Sequence, residues 1–233
     1  MSSGLIGPPE RNRAACVKPC AQTTLIKIDF VSDVSCPWCA IGLKSLETAL
    51  QRLPGEVQAD IHFQPFELNP DMLPEGQDIN EHLSQKYGST PEQLQQTREA
   101  IRLRGAALGF EFGIGKRDRI YNTFDAHRLL HWAGLEGPPG SQHRLKTALL
   151  SAYFTEGLSP ACHEVLLQKA TNVGLDPARA AAILESDAFA ADVRQAESFY
   201  TSHGIHYVPA IILNDRQLIS GGQPPEVFEQ ALR

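Results

Sequence analysis

The tetrapeptide Cys36-Pro37-Trp38-Cys39 lies between a short apolar run and a segment with helical periodicity. Residues 25–31 (Leu-Ile-Lys-Ile-Asp-Phe-Val) are rich in strand-forming side chains and predict a β-strand. After the tetrapeptide, leucines recur at positions 43, 46, 50 and 53, which is the spacing of one helix face. The sequence therefore predicts two thiols where a strand passes into a helix, an arrangement that can alternate between dithiol and disulfide.

Composition excludes several other classes of protein. The chain has 233 residues, of which 42% are hydrophobic and 21% charged, as expected for a well-packed soluble core. Its net charge of −6 argues against nucleic acid as a partner, because phosphate binding needs a basic surface. No apolar stretch is long enough to span a membrane, and residues 1–24 lack the apolar segment of a secretory signal. We therefore expect a cytoplasmic protein with a flexible N-terminal tail.

The order of predicted elements is β-α-β, a long helical stretch, then β-β-α. A second strand is predicted around Ile61 and Phe63, and two more at 210–213 and 217–219, joined by a turn at Asn214-Asp215. Neither end has enough strands to form its own sheet, so we expect both ends to share one. The predicted domains are a tail (1–24), an α/β domain built from 25–77 and 205–233, and an all-helical insertion (78–204).

The Cys-x-x-Cys pair has three interpretations. In the redox interpretation, the start of the helix favours an anion, so Cys36 attacks as a thiolate and Cys39 resolves the mixed disulfide. Pro37 stiffens the first turn without losing a helical hydrogen bond. In the zinc interpretation, Cys16 and Cys20 complete a four-thiolate site, although the intervening residues look like a buried strand. In the third interpretation, Cys36 and Cys39 are a buried pair without a chemical role.

A total of five cysteines is an odd number, which does not fit a framework of structural disulfides. We expect Cys162 to lie in a helix that begins after Ser159-Pro160 and to act as a small buried hydrophobe. Cys16 and Cys20 form a close pair in the tail, for which we predict no catalytic role.

Val208-Pro209 stands directly before the third predicted strand, where a proline is the expected partner of an active-site Cys-x-x-Cys. A cis bond at this position would present the backbone of Val208 to a substrate strand.

These motifs together resemble the DsbA-like thioredoxin-fold family, specifically its FrnE-like branch. The resemblance covers residue 25 to the C-terminus and rests on four segments: 33–42 (DVSCPWCAIG), 66–70 (FELNP), 122–129 (NTFDAHRL), and Val208-Pro209 with 220–224 (SGGQP). It implies a thioredoxin-like fold with a helical insertion and disulfide oxidoreductase activity. It also implies Cys36 as the nucleophile, Cys39 as the resolving thiol and Pro209 as the cis residue.

The resemblance extends to substrate contacts, with one departure. We expect Pro37, Trp38 and Val208 to contact substrate, and Asn69 aligns with a position that contacts substrate or glutathione in related isomerases. DsbA itself has His where this chain has Trp38. Trp offers a single neutral donor, so we expect a less stabilised Cys36 thiolate and a weaker oxidant.

Two other functions compete with disulfide exchange in a protein or small thiol. Kappa-class glutathione transferases and 2-hydroxychromene-2-carboxylate isomerases resemble this fold but carry Ser where Cys36 stands, so the presence of both cysteines argues against their chemistry. The second competing function is that of a structural zinc protein. We expect no bound cofactor or metal, with glutathione as a candidate co-substrate; the sequence indicates neither an oligomeric state nor the direction of exchange.

Two further sites carry weaker expectations. Asp29 is a candidate for a buried acid that helps to deprotonate the resolving thiol, and the alternative is a salt bridge or an exposed strand edge. His127 and His131 are four residues apart on a predicted helix, where we expect packing and capping, not metal binding.

Overall fold

The computed structural model describes residues 23–233, which form two sheets and a set of helices. In chain order the elements are β1 (Thr24–Ser32), α1 (Pro37–Gln51), β2 (Val57–Pro65), β3 (Gln77–Asp78), α2 (Ile79–Tyr87), α3 (Pro91–Ala107), β4 (Arg119–Ile120), α4 (Phe124–Leu135), α5 (Ser141–Ser151), a π-helical turn (Ala152–Glu156), α6 (His163–Asn172), α7 (Pro177–Leu184), α8 (Ala190–Ser202), β5 (Ala210–Leu213), β6 (Gln217–Ser220) and α9 (Pro225–Leu232).

The main sheet has four strands in the order β2-β1-β5-β6. β1 pairs with β2 in parallel and with β5 in antiparallel orientation, so Phe30 lies between Phe63 and Ile211. The two ends of the chain thus share one sheet, and the predicted thioredoxin-like fold with a helical insertion is confirmed. A second, two-stranded sheet of β3 and β4 lies within the helical stretch and was not predicted.

The second half of β1, from Ile28 to Ser32, is buried because both faces of the sheet are covered there. Ile28 and Phe30 belong to a core that also contains Leu43 and Leu46 of α1 and Phe228 of α9. On the opposite face, Val31 packs with Tyr200 and Ile205. The α1 and α9 side of the sheet is the one that receives the two cysteines.

The helical stretch has a second core, to which α4, α5, α6 and α7 all contribute. Val34, in the loop between β1 and α1, is fully buried in this second core. The segment just before Cys36 therefore connects the two cores.

Local signals in the sequence were matched by the backbone. Thr90 and Gln93 have the spacing of a capping box and form one at the start of α3. Asn214 and Asp215 turn the β5–β6 hairpin with φ angles of 50° and 57°, which Asn and Asp tolerate better than other side chains. In residues 23–233, no helix is long and apolar enough to cross a membrane.

Candidate active site

Cys36 is the N-cap of α1, with Pro37 as the first helical residue and Cys39 in the first turn. The backbone N–H groups of Cys39 and Ala40 donate to the Cys36 carbonyl at 3.1 and 3.4 Å. Cys36 is 4% exposed and Cys39 is fully buried. Both are free thiols, so the structure shows the dithiol form, with little of the outer sulfur open to a partner.

The pKa values of the two thiols move in opposite directions. Hydrogen bonding from the Cys39 side chain lowers the pKa of Cys36, and the backbone N–H groups of Cys39 and Trp38 add to this against the effect of burial. Burial raises the pKa of Cys39, which is raised further by its hydrogen bond to Cys36 and by the charge on that sulfur. Cys36 is therefore the thiol that ionises first, and Cys39 keeps its proton.

Val208 and Pro209 adjoin the outer sulfur. The Val208–Pro209 peptide bond is cis, and the carbonyl oxygen of Val208 lies 3.6 Å from the Cys36 Sγ as a hydrogen-bond acceptor. A Cβ atom on Gly42 would stand 3.0 Å from the Pro209 ring, so α1 and this loop are in close contact. The predicted residues Pro37, Val208 and Pro209 thus lie together with Cys36.

Trp38 is partly buried against the first core. The guanidinium carbon of Arg104, on α3, lies 5.5 Å from the centre of its ring, in the range of a cation–π contact. Arg104 also donates to the carbonyl of Gly222. A helix of the inserted stretch therefore holds the residue that stands between the two cysteines.

Asn69 lies in the segment after β2, and its side chain is already engaged. Its Oδ1 accepts a hydrogen bond from Lys86 at 2.7 Å and lies 3.0 Å from the Nε2 of His82. Both partners belong to α2. The pKa of its last residue, Tyr87, is raised by burial and, to a smaller extent, by the charge of Cys36. Asn69 thus lies on the α2 side of the site.

Asp33 is a buried carboxylate three residues before Cys36. It accepts hydrogen bonds from the N–H and hydroxyl of Ser35 at 3.1 and 2.9 Å and from the Leu68 N–H at 2.8 Å. The Nε2 of His127 lies 3.5 Å away, which is long for a hydrogen bond and makes this contact largely electrostatic. Burial raises the pKa of Asp33, but His127 and the two N–H groups outweigh burial and bring it to about 2. Asp33 is therefore an anion at neutral pH.

Glu67 is a second buried acid near the site. Burial raises its pKa to about 7, the charge of Glu197 adds to this, and His127 and Arg194 oppose it. Its Oε2 is bonded to Arg194 of α8, and its other oxygen has no partner.

The structure decides three expectations for single residues. Asp29 lies on the opposite face of β1 from the cysteines, where it contacts Lys27 at 3.0 Å and Gln64 at 2.7 Å, because side chains alternate along a strand. It is therefore not the acid next to Cys39. Cys162 is the N-cap of α6 and partly exposed, with its thiol 2.9 Å from Glu164, so it is not a buried hydrophobe. His127 is buried in α4, as expected, and its ring faces Asp33.

The sequence analysis also missed functional candidates. Lys146, on α5, is fully buried and its charge acts on both cysteines. One signal was available, since a lysine occurs beside Leu145, Leu149 and Leu150 on the apolar stripe of its helix. Glu67 gave no such signal, because its burial depends on α8.

Metal ligands do not gather in the described part of the chain. No group of three or more His, Cys, Asp or Glu residues in 23–233 is arranged to hold a metal ion. Cys16 and Cys20, which the zinc interpretation requires, lie outside the described residues.

Comparisons with known proteins give consistent results. The family model for the DSBA-like thioredoxin domain matches residues 27–233. A probable DsbA oxidoreductase from Streptomyces coelicolor is 33% identical, with a TM-score of 0.82 over 89% of this chain and 88% of its own. The uncharacterized protein YwbO of Bacillus subtilis is 28% identical over 89% of this chain and 96% of its own. A 2-hydroxychromene-2-carboxylate isomerase is 15% identical, with a TM-score of 0.65 over 88% and 93%, and shows the same fold.

Proposed function

Because this chain belongs to the DSBA-like thioredoxin-domain family, we propose that it is a thiol–disulfide oxidoreductase in which Cys36 and Cys39 are the exchanging pair. The observation that carries the proposal is the asymmetry of the two thiols. The pKa of Cys36 is lowered at the start of a helix, while that of Cys39 is raised one turn inside it. An exchange reaction needs this division between an attacking thiolate and a reserved thiol.

The mechanism begins when the Cys36 thiolate attacks a substrate disulfide and forms a mixed disulfide. Cys39 then gives its proton to the departing substrate sulfur and attacks the Cys36 sulfur, which releases the substrate thiol and leaves a Cys36–Cys39 disulfide. Substrate oxidation follows the same steps in reverse. Because Cys36 is 4% exposed, the substrate sulfur must come from a protruding or extended segment.

The loop beside Cys36 supports a mode of substrate binding. The Val208 carbonyl, 3.6 Å from the Cys36 sulfur, is placed to pair with the backbone of an extended substrate, a form of strand addition. Pro37, Trp38 and Asn69 would border the bound segment. We place the substrate in the groove between the α/β domain (25–77 and 205–233) and the helical insertion (78–204).

The substrate class is a thiol- or disulfide-containing protein or a small thiol, with glutathione as a possible reductant for the pair. The FrnE-like branch, a cytoplasmic location and the absence of a bound cofactor are parts of the same proposal, supported by the motifs quoted above.

Substitution of single cysteines tests this function. In an insulin-reduction assay, Cys36→Ser removes activity because the attacking sulfur is lost. Cys39→Ser traps a mixed disulfide that mass spectrometry detects. Cys162→Ser is the matched control. It removes a free thiol at the N-cap of α6, outside the Cys36–Cys39 pair, and keeps full activity. Full activity in Cys36→Ser would rule out the proposal.

Titration of the wild-type pair against glutathione redox buffers gives its reduction potential and hence the direction of exchange. A difference of about 30 mV from the glutathione couple corresponds to about 1.4 kcal/mol.

A glutathione-dependent isomerase is the second candidate, favoured by the shared fold of the 2-hydroxychromene-2-carboxylate isomerase. The two thiols weigh against it, because one sulfur or hydroxyl suffices for that chemistry. Glutathione-dependent isomerisation that persists in Cys39→Ser would support this candidate over disulfide exchange.

A further inference from the structure

Lys146 is a buried cation without a partner. Its side chain lies in the middle of α5, the residue is 1% exposed, and its Nζ makes no hydrogen bond. It is the only buried lysine among residues 23–233. An unpaired buried ammonium destabilises a folded protein by several kcal/mol, on the order of its desolvation cost. Packing alone does not explain why a lysine occupies this position.

The face of α5 that carries Lys146 points towards the two cysteines. Leu150 follows one turn later, and both Leu150 and Tyr153 belong to the core that contains Cys36 and Cys39. One turn earlier, Gln142 bonds to the N–H and carbonyl of Phe63 in β2, each at 3.0 Å. Lys146 thus lies between a contact with the main sheet and residues that share one core with both cysteines.

The charge of Lys146 acts on the groups around it. Burial lowers the pKa of Lys146, and the charges of Cys39, Asp33 and Cys36 oppose this. In return, its positive charge lowers the pKa of Cys39 against the effect of burial. Two other titratable groups face this cluster: His127 contacts Asp33 from α4, and Tyr153 faces it from the π-helical turn.

We propose that Lys146 is a positioning residue whose ammonium group stabilises the Cys39 thiolate each time the Cys36–Cys39 disulfide opens or closes. The inference rests on the proposed function. When a substrate thiolate attacks the Cys36 sulfur, a new sulfur–sulfur bond forms to Cys36 and the bond between Cys36 and Cys39 breaks. The electron pair of the broken bond stays on Cys39, so the negative charge of the substrate thiolate moves to that sulfur. In the reverse step the charge leaves Cys39 again.

Cys39 needs this help because it is fully buried. Water cannot solvate its thiolate, and the start of the helix serves mainly Cys36, which caps it. A cation on the neighbouring helix lowers the free energy of the charged intermediate in both directions of exchange. The buried lysine thus destabilises the folded protein but favours the exchange reaction.

The test measures the ionisation of Cys39 in a protein that lacks Cys36. In a background that carries Cys16→Ser, Cys20→Ser, Cys36→Ser and Cys162→Ser, Cys39 is the only thiol left. The ultraviolet absorbance of its thiolate is followed against pH, with and without Lys146→Met. Met keeps the length of the side chain and removes the charge. We expect the pKa of Cys39 to rise, with at least about tenfold less thiolate at a fixed pH below it. Lys146→Arg retains the charge and should stay within about threefold of the parent.

The two possible roles of Lys146 make different predictions. A purely structural lysine would, when replaced by Met, change the free energy of unfolding but leave the Cys39 titration unchanged; that result in a folded variant would overturn the proposal. Since a buried unpaired charge is removed, we expect Lys146→Met to retain or gain stability.

If the substituted proteins do not fold, the nitrogen NMR resonance of the Lys146 ammonium in Cys36→Ser provides the same test. It must shift as Cys39 ionises, and a resonance that stays constant through that titration would contradict the inference. Neither measurement uses a substrate. A failure of the proposed function would instead appear as the absence of a reversible Cys36–Cys39 disulfide in the glutathione titration, independently of Lys146.

Discussion

Asp33 is the charged residue whose replacement most directly tests the electrostatics at Cys36. Its anionic charge raises the pKa of Cys36 and thus opposes the effect of the helix start. We expect Asp33→Asn to lower the pKa of Cys36, so that alkylation with iodoacetamide becomes about three- to tenfold faster at a pH below it. The rate is measured against pH for wild type and variant.

The same substitution should destabilise the protein by about 1–3 kcal/mol, because an amide replaces a carboxylate that accepts three hydrogen bonds. Asp60→Asn changes an exposed acid on β2 and is the matched control, with no effect on alkylation expected. A Cys36 that reacts more slowly in Asp33→Asn would show that the carboxylate assists ionisation.

At this scale the sequence predicted which residues lie together around Cys36 but not what else surrounds them. Cys36, Cys39 and Pro209 stand in short motifs whose chemistry depends on local spacing. The partners of Asp33 come from residues 68 and 127, and Lys146 comes from a helix more than 100 positions after the cysteines. Such neighbours are set by the packing of helices, which the spacing of apolar residues does not determine. The same limit left two interpretations open for Asp29, because its face of β1 was not fixed by its distance from Cys36.

Among the elements, α1 is the one most closely constrained by its neighbours. Gly42 lies where α1 contacts the Pro209 ring, and a Cβ there would be 3.0 Å from the Pro209 Cγ and 3.5 Å from the Gly222 Cα. A helix usually gains about 1 kcal/mol when Gly becomes Ala. In Gly42→Ala we expect overpacking to outweigh this gain and lower the free energy of unfolding by about 1–2 kcal/mol.

Chemical denaturation measures that loss, and the rate of disulfide exchange should fall with it, because the loop beside the Cys36 sulfur is displaced. If Gly42→Ala instead stabilised the protein by about 1 kcal/mol, the contact between α1 and the Pro209 loop would impose no steric penalty on a side chain at this position.

The elements themselves were predictable: strands and helices followed apolar periodicity, proline and capping residues. The β3–β4 ladder was not, because two residues per strand carry no periodic pattern.

Across the whole molecule, the pH dependence of stability should report on Glu67. Its pKa in the folded protein is about 7, against an ordinary value of 4.5 for a glutamate. The folded state therefore holds this proton more tightly than the unfolded state, and the contribution is lost as pH rises from about 4.5 to about 7. We expect Glu67→Gln to abolish this loss, so that its stability relative to wild type improves by about 1–3 kcal/mol between pH 5 and pH 8.

Urea denaturation at the two pH values measures the difference, with the exposed Glu56→Gln as the control. Parallel pH profiles for wild type and Glu67→Gln would contradict the assignment. Glu67 links the segment after β2 to α8 through Arg194, so the effect belongs to the packing of the helical stretch on the sheet. The overall order of elements revealed that this packing exists, but not which polar groups it buries.

The burial of Val34 in the core of the helical stretch, two residues before a thiol that belongs to the core of the sheet, has a mechanical consequence. The three peptide bonds of the segment 33–36 therefore connect the core of the helical stretch to the core of the main sheet. A substrate that separated the helical stretch from the main sheet would displace the backbone next to the Cys36 sulfur. Substrate binding would in this way change the reactivity of the sulfur that the substrate attacks.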